Sequence, residues 1–211
     1  FGTARGGEGR LSLAVVKDLA RVMANIHNIP LKRNDAWIKE SHFGKWLDYG
    51  STRQNTLARI AEWRKQSADA GLFPSPVIAR AMNWLTANVP DHEDPPVLLH
   101  GDFGQHNLLL DGDRVSAALD WEISTPGDPA YDVCWFLNCA GAAVDRQQFL
   151  DAYRDAGGKP VSEYQLRYFE VFPSMFMPLT CNAALKLLQD NDAANINLAY
   201  YGLQFMHDYP S

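Results

Sequence analysis

The sequence predicts an α+β fold, mostly α-helical, with a small β element set into it. Three observations carry this. Apolar residues at three- and four-residue spacing run before residue 90 and again after residue 128, the period of helices packed on one face. Between them lie short apolar runs at 97–99, 108–110 and 115–119, rich in branched side chains, which read as strands. Set among those strands, LLHGDFGQHNLLLDGDRVSAALDWE (Leu98 to Glu122) concentrates histidine, aspartate, asparagine and glutamate between leucines.

Taken in order, residues 1–10 (FGTARGGEGR) are glycine-rich, carry little apolar pattern and read as a linker remnant. From Leu11 to the end at 211 the chain reads as a single lobe. Its first helix places Val15, Leu19, Val22, Met23 and Ile26 on one face, with Ser12 as its cap and Pro30 as its stop. Residues 34–50 predict a short helix and a loop. Helices are expected over 53–70, ending at Gly71, and over 76–88, before VPDHEDPP breaks the chain. Asp111-Gly112-Asp113 separates the second and third apolar runs as a hairpin turn would. After TPGDP the helical period returns over 130–140, 146–156, 162–189 and 193–207, with Pro173 and Pro178 interrupting the third of these.

Composition narrows the function classes. Of 211 residues 46% are hydrophobic and 21% charged, enough for a buried core and too well mixed for disorder. The net charge is −6 and no Lys/Arg cluster provides the basic face that nucleic acid requires, so no nucleic-acid partner is expected. No apolar run reaches the roughly 20 residues of a membrane span, and FGTARGGEGR lacks the apolar centre of a secretory signal. Cys134, Cys139 and Cys181 form neither a C-x-x-C pair nor an even set, as expected of free thiols in the cytoplasm.

The polar constellation has a definite spacing. His100-Gly101-Asp102 follows the first short strand, Asn107 precedes the second, and Asp120 closes the third. A hairpin would bring Asn107 and Asp120 together, and hard oxygen donors of this kind suit Mg²⁺. Leu98, Leu99, Leu108, Leu110 and Leu119 are expected to anchor them from behind.

H-x-D-x-x-x-x-N followed by a metal-binding Asp is the protein-kinase catalytic layout. With Gly101 in place of Arg, and Asp120-Trp121-Glu122 in place of Asp-Phe-Gly, the chain resembles the aminoglycoside phosphotransferase and choline kinase family, as does the downstream GDPAYDV (127–133). The resemblance covers the chain from Leu11 onward and corresponds to that family's C-terminal lobe. It implies a protein-kinase-like fold, Asp102 as the catalytic base toward a substrate hydroxyl, and Asn107 and Asp120 holding Mg²⁺ on the phosphates of ATP. His100, Glu122 and Asp132 are expected to support the loop or the substrate. Asp132 is read as bonding the catalytic loop. His106 faces substrate or simply solvent.

The nucleotide-clamping half of such an enzyme is not recognisable here. FGTARGGEGR has no Walker ending, and Lys17 falls inside the first helix instead of on a strand, so no residue fits the clamping lysine. The expectation is a kinase C-terminal lobe separated from its N-terminal lobe, with a small-molecule hydroxyl compound as substrate. A non-catalytic kinase-like scaffold is the alternative. A metal hydrolase built from His100, Asp102, His106 and Asp120 is another, against which stands the lack of H-x-x-x-H spacing. The family resemblance further implies that the C-terminal helices, through residues such as Tyr164, Tyr168, Glu170 and Phe172, line the acceptor pocket. RQNTLARIAEWRKQSADAG (53–71) resembles the kinase-like domains attached to acyl-CoA dehydrogenases, which implies a metabolic hydroxyl substrate, a hydroxyacyl compound among the candidates, and argues against antibiotic resistance.

Overall fold

The computed structural model describes residues 9–32, 34–41, 44–69, 76–91 and 93–172. Two compact units share the chain: residues 1–56 with 90–169, and residues 57–89 with 170–211. The first holds every residue of the polar constellation.

Helix α1 (Leu13–His27) begins where the cap predicts, with the Ser12 hydroxyl accepting the Val15 N–H at 3.2 Å. Its buried face carries Val15, Val16, Leu19, Met23 and Ile26, each contributing about 1.5–3 kcal/mol by leaving water. Val22, expected on that face, is half-buried at its border. Helix α2 (Ala36–Lys39) and a 3-10 turn (Gly44–Asp48) occupy the mixed segment. Helix α3 (Thr52–Asp69) and helix α4 (Pro76–Ala87) match the expected boundaries closely. In the second unit Ile60, Met82 and Leu85 are buried, and Trp63 lies 4.6 Å from the Phe172 ring.

Strand β1 (Val97–Leu99) is followed by a 3-10 turn (Gln105–Asn107) and by the hairpin of β2 (Leu108–Asp111) and β3 (Arg114–Ala118). Gly112, at φ 58, takes the first turn position without strain. A bulge at Leu109/Leu110 shifts the register. Strand β4 (Thr125–Gly127), which the sequence did not predict, pairs antiparallel with β1, Leu98 opposite Pro126. A three-residue strand containing a proline and a glycine carries no alternating pattern, and only its pairing with β1 makes it a strand.

Helix α5 (Ala130–Ala140) and helix α6 (Arg146–Asp155) fall where expected, the latter capped by Asp145 on the Gln148 N–H at 2.9 Å. Helix α7 spans 163–172. Ser162 and Gln165 cap it reciprocally: Ser162 Oγ accepts the Gln165 N–H, and Gln165 Oε1 accepts the Ser162 N–H. The expected continuation to 189, the helix over 193–207, Pro173, Pro178 and Cys181 lie outside the described residues.

Two expectations need correction. Leu98, Leu99 and Leu108 are buried as expected, but Leu110 and Leu119 are 41% and 44% exposed, the one beside the bulge at Leu109/Leu110 and the other past the end of β3. A further anchor is Phe103, wholly buried, against Phe136, which in turn packs on Phe149 with ring centroids 4.5 Å apart. Also, β3 ends at Ala118, so Asp120 lies beyond the strand instead of closing it.

Candidate active site

Strand β1 ends at Leu99, and the chain turns at once into a loop whose backbone is held by one side chain. Asp132, in the first turn of α5, is fully buried and accepts the N–H of His100 at 2.7 Å and of Gly101 at 2.9 Å. Gly101 stands at φ 88, and a Cβ there would meet the Ile123 carbonyl oxygen at 2.7 Å. In this loop conformation no side chain fits at position 101, which glycine alone satisfies. His100 is buried too. Its Nε2–H donates to the Leu119 carbonyl at 2.9 Å and its Nδ1 accepts the Asp102 N–H at 3.3 Å, which fixes its tautomer. Its ring lies against Trp121, 4.6 Å between centroids. His100 therefore ties the loop to the segment that carries Asp120, and both its nitrogens are occupied.

The Asp102 carboxylate is held on both oxygens. Oδ1 accepts the Trp135 indole N–H at 2.6 Å. Oδ2 accepts the Asn107 amide at 3.0 Å and meets His106 Nε2 at 3.0 Å. The Asn107 amide also donates to the Asp102 carbonyl. With both amide hydrogens committed, the Asn107 Oδ1 is left without a partner among the described residues.

The segment that carries Asp120 runs beside the backbone of Asn107 at the open end of the hairpin. The Leu119 N–H donates to the Asn107 carbonyl at 2.8 Å, which sets residue 120 one step beyond that bond. Asp120 has φ 63, the left-handed conformation that non-glycine residues rarely adopt. Backbone strain of this kind gathers at functional sites. Its carboxylate is exposed and has no partner among the described residues, and neither has that of Glu122. The structure thus brings His100, Asp102, Asn107 and Asp132 into one bonded cluster, with Asp120 at its edge. Glu122 stands apart in solvent.

Behind Asp132 is a network that sequence reasoning missed. His27, buried on α1, reaches Asp132 Oδ2 through Nε2 at 3.2 Å and the Tyr153 hydroxyl through Nδ1 at 2.6 Å. Burial, with the negative charges of Asp132 and Asp128, pushes the Tyr153 hydroxyl well above the usual phenol range, so it keeps its proton and donates it to Nδ1. Trp135 was missed as well. The available signal was spacing: Asp132 and Trp135 are three apart on one helix and share a face.

Among the described residues no three His, Cys, Asp or Glu side chains gather into a metal-sized group, and His100 has no free nitrogen, so the hydrolase alternative lacks its ligands. Of the residues expected to line an acceptor pocket, Tyr168 and Phe172 are buried in packing, while Tyr164 is 53% exposed.

Residues 4–168 match the family described as Phosphotransferase enzyme family (APH). The chain belongs to that family. The chain is 32% identical to acyl-CoA dehydrogenase family member 10 of Mus musculus over 124 residues, 58% of the chain and 11% of that protein. It is 36% identical to hygromycin-B 4-O-kinase of Escherichia coli over 95 residues, 43% of the chain and 28% of that protein. Among solved structures it is similar to a macrolide 2'-phosphotransferase of Brachybacterium faecium, at TM-score 0.60 and 25% identity over 90% of this chain and 61% of that one. It shares its fold with an ethanolamine kinase of Plasmodium vivax, at TM-score 0.57 and 18% identity, covering 94% of this chain and 60% of that one. The chain thus spans about a tenth of the acyl-CoA dehydrogenase relative and three fifths of each solved chain.

Proposed function

We propose that this phosphotransferase is a small-molecule kinase moving the γ-phosphoryl group of ATP to a substrate hydroxyl, with Asp102 as base and Mg²⁺ held by Asn107 and Asp120. The observation that carries the reading is the Asp102 carboxylate, held by three donors on a loop that Asp132 and His100 tie down.

The donor set suits the ion. Asn107 Oδ1 and the Asp120 carboxylate are oxygen ligands, and Mg²⁺ takes one or two such protein ligands and fills its shell with water and phosphate. When bound it would neutralise charge on the phosphates. The rest falls to the protein. Asp102 orients the acceptor hydroxyl and takes its proton as the oxygen attacks the γ-phosphorus. An O–P bond forms, the bridging bond to the β-phosphate breaks, ADP leaves, and the proton passes from Asp102 to solvent. Asp132, His100 and Phe103 keep the loop from moving, since in-line transfer depends on placement to fractions of an ångström.

The glycine-rich cover and the lysine that clamp the nucleotide are proposed to come from an N-terminal lobe beyond the residues recognised here, in a cytoplasmic protein. No helix among the described residues is long and apolar enough to cross a membrane. The relative named as hygromycin-B 4-O-kinase supports a small hydroxyl-bearing acceptor, and a hydroxyacyl compound is proposed as one candidate within that class.

The test is ATP consumption by the full native protein with a panel of hydroxyl compounds, in Mg²⁺ and in EDTA. Acceptor-dependent, EDTA-sensitive ADP formation that Asp120→Ala abolishes is expected. Turnover indifferent to Asp120 and to chelation would overturn the metal assignment.

A further inference from the structure

Two side chains of α5, one helical turn apart, grip consecutive residues of the loop. Asp132 takes the backbone of His100 and Gly101, and Trp135 takes the carboxylate of Asp102. The Trp135 contact is the shortest of the three on that carboxylate, 2.6 Å against 3.0 Å for Asn107 and His106.

The donors differ in kind. An indole N–H can only donate, at any pH. His106 is 56% exposed, and its hold depends on where its proton sits. The Asn107 amide is steady but grips Oδ2, where His106 also sits. A carboxylate oxygen offers about two lone pairs. Both on Oδ2 are taken, and one on Oδ1 is taken by Trp135. The remaining position on Oδ1, beside the indole, is where an incoming hydroxyl finds an open acceptor. The side of the carboxylate that faces substrate is thus set by Trp135.

We propose that Trp135 is a positioning residue for phosphoryl transfer: its indole N–H turns Asp102 so that the free lone pair of Oδ1 meets the acceptor hydroxyl. This rests on the reading of Asp102 as base. The indole does no chemistry itself. It holds one rotamer of the carboxylate and borders the place where the acceptor binds.

Trp135→Phe removes the N–H and keeps an aromatic ring, though a smaller one than the indole. A hydrogen bond to a charged group carries enough energy that its loss should lower kcat roughly tenfold or more, if it acts at the transition state. The KM for ATP should not change, and the melting temperature should fall little. The decisive measurement is a cycle of Trp135→Phe, Asp102→Asn and the double variant in the full native protein, reading kcat with ATP, Mg²⁺ and the best acceptor of the hydroxyl panel. Trp135 acts through Asp102, so its effect should largely vanish on the residual turnover of Asp102→Asn. If Trp135→Phe lowers kcat by the same factor in both backgrounds, or leaves kcat unchanged while Asp102→Asn is inactive, the inference is wrong. If Asp102→Asn itself keeps full turnover, the base assignment fails first, and the inference falls with it.

Discussion

Asp132→Asn tests the core of the site in one step. The carboxylate accepts three donors: His100 N–H and His27 Nε2 on Oδ2, and Gly101 N–H on Oδ1. An amide keeps one acceptor oxygen and turns the other into a donor. The least costly placement leaves oxygen at Oδ2 and points the NH₂ at the Gly101 N–H. One buried N–H then loses its partner, at about 1–3 kcal/mol. The two remaining bonds lose their charge assistance, about 1 kcal/mol each. Removing a buried charge returns part of this. The net loss is about 3 kcal/mol, a fall in melting temperature of roughly 6–12 °C for a protein of this size. Thermal unfolding followed by circular dichroism reads it directly. A fall of less than about 2 °C would mean that these bonds do not hold the loop, and the argument for a rigid Asp102 would collapse with them.

Other consequences follow from neighbouring groups. Gly101→Ala places a Cβ at φ 88 and 2.7 Å from the Ile123 carbonyl, so stability in urea should drop by about 2–4 kcal/mol and kcat with it; an unchanged midpoint would contradict the geometry. Tyr153→Phe strips the donor from His27 Nδ1 and should cost about 1–2 kcal/mol, less than additively with Asp132→Asn because the three side chains form one chain of bonds. Burial, and then the charge of Asp102, pushes the Cys139 thiol up to about 11 from 9.0. Since only the thiolate reacts, iodoacetamide should label Cys139 about a hundredfold more slowly at pH 8 than an ordinary surface thiol, the rate climbing until about pH 11. Asp102→Asn should speed that labelling, as peptide mass mapping would show.

What the sequence made legible was local. Helices α1, α4, α5 and α6 announce themselves by periodicity, and Ser12 caps the first of them as expected. The hairpin is legible from Asp111-Gly112-Asp113 between apolar runs. The closeness of His100, Asp102 and Asn107 was readable because one tight loop joins them over a short sequence distance, and the hairpin returns the chain to Asn107 at Leu119, next to Asp120. Strand β4 was not, because its strand character comes from β1 and not from its own residues. The hold of His27 and Tyr153 on Asp132 was not either, since those contacts join residues 105 and 126 positions apart. A lone histidine on an apolar helix face looks the same in sequence whether it is packed or bonded. Leu110 and Leu119 misled because an apolar run does not say where the strand leaves the core: Leu108 is buried, Leu109 and Leu110 beside the bulge are exposed, and Leu119 lies past the end of β3.

The account rests on Asp102 as the base of a phosphoryl transfer. The most direct measurement is steady-state turnover of the full native protein and of Asp102→Asn with ATP, Mg²⁺ and the hydroxyl panel, alongside nucleotide affinity for both. The account predicts that kcat falls by about 10²–10⁴, the share a positioned acid–base group supplies, while ATP binds equally well. Undiminished acceptor-dependent turnover by Asp102→Asn would contradict it.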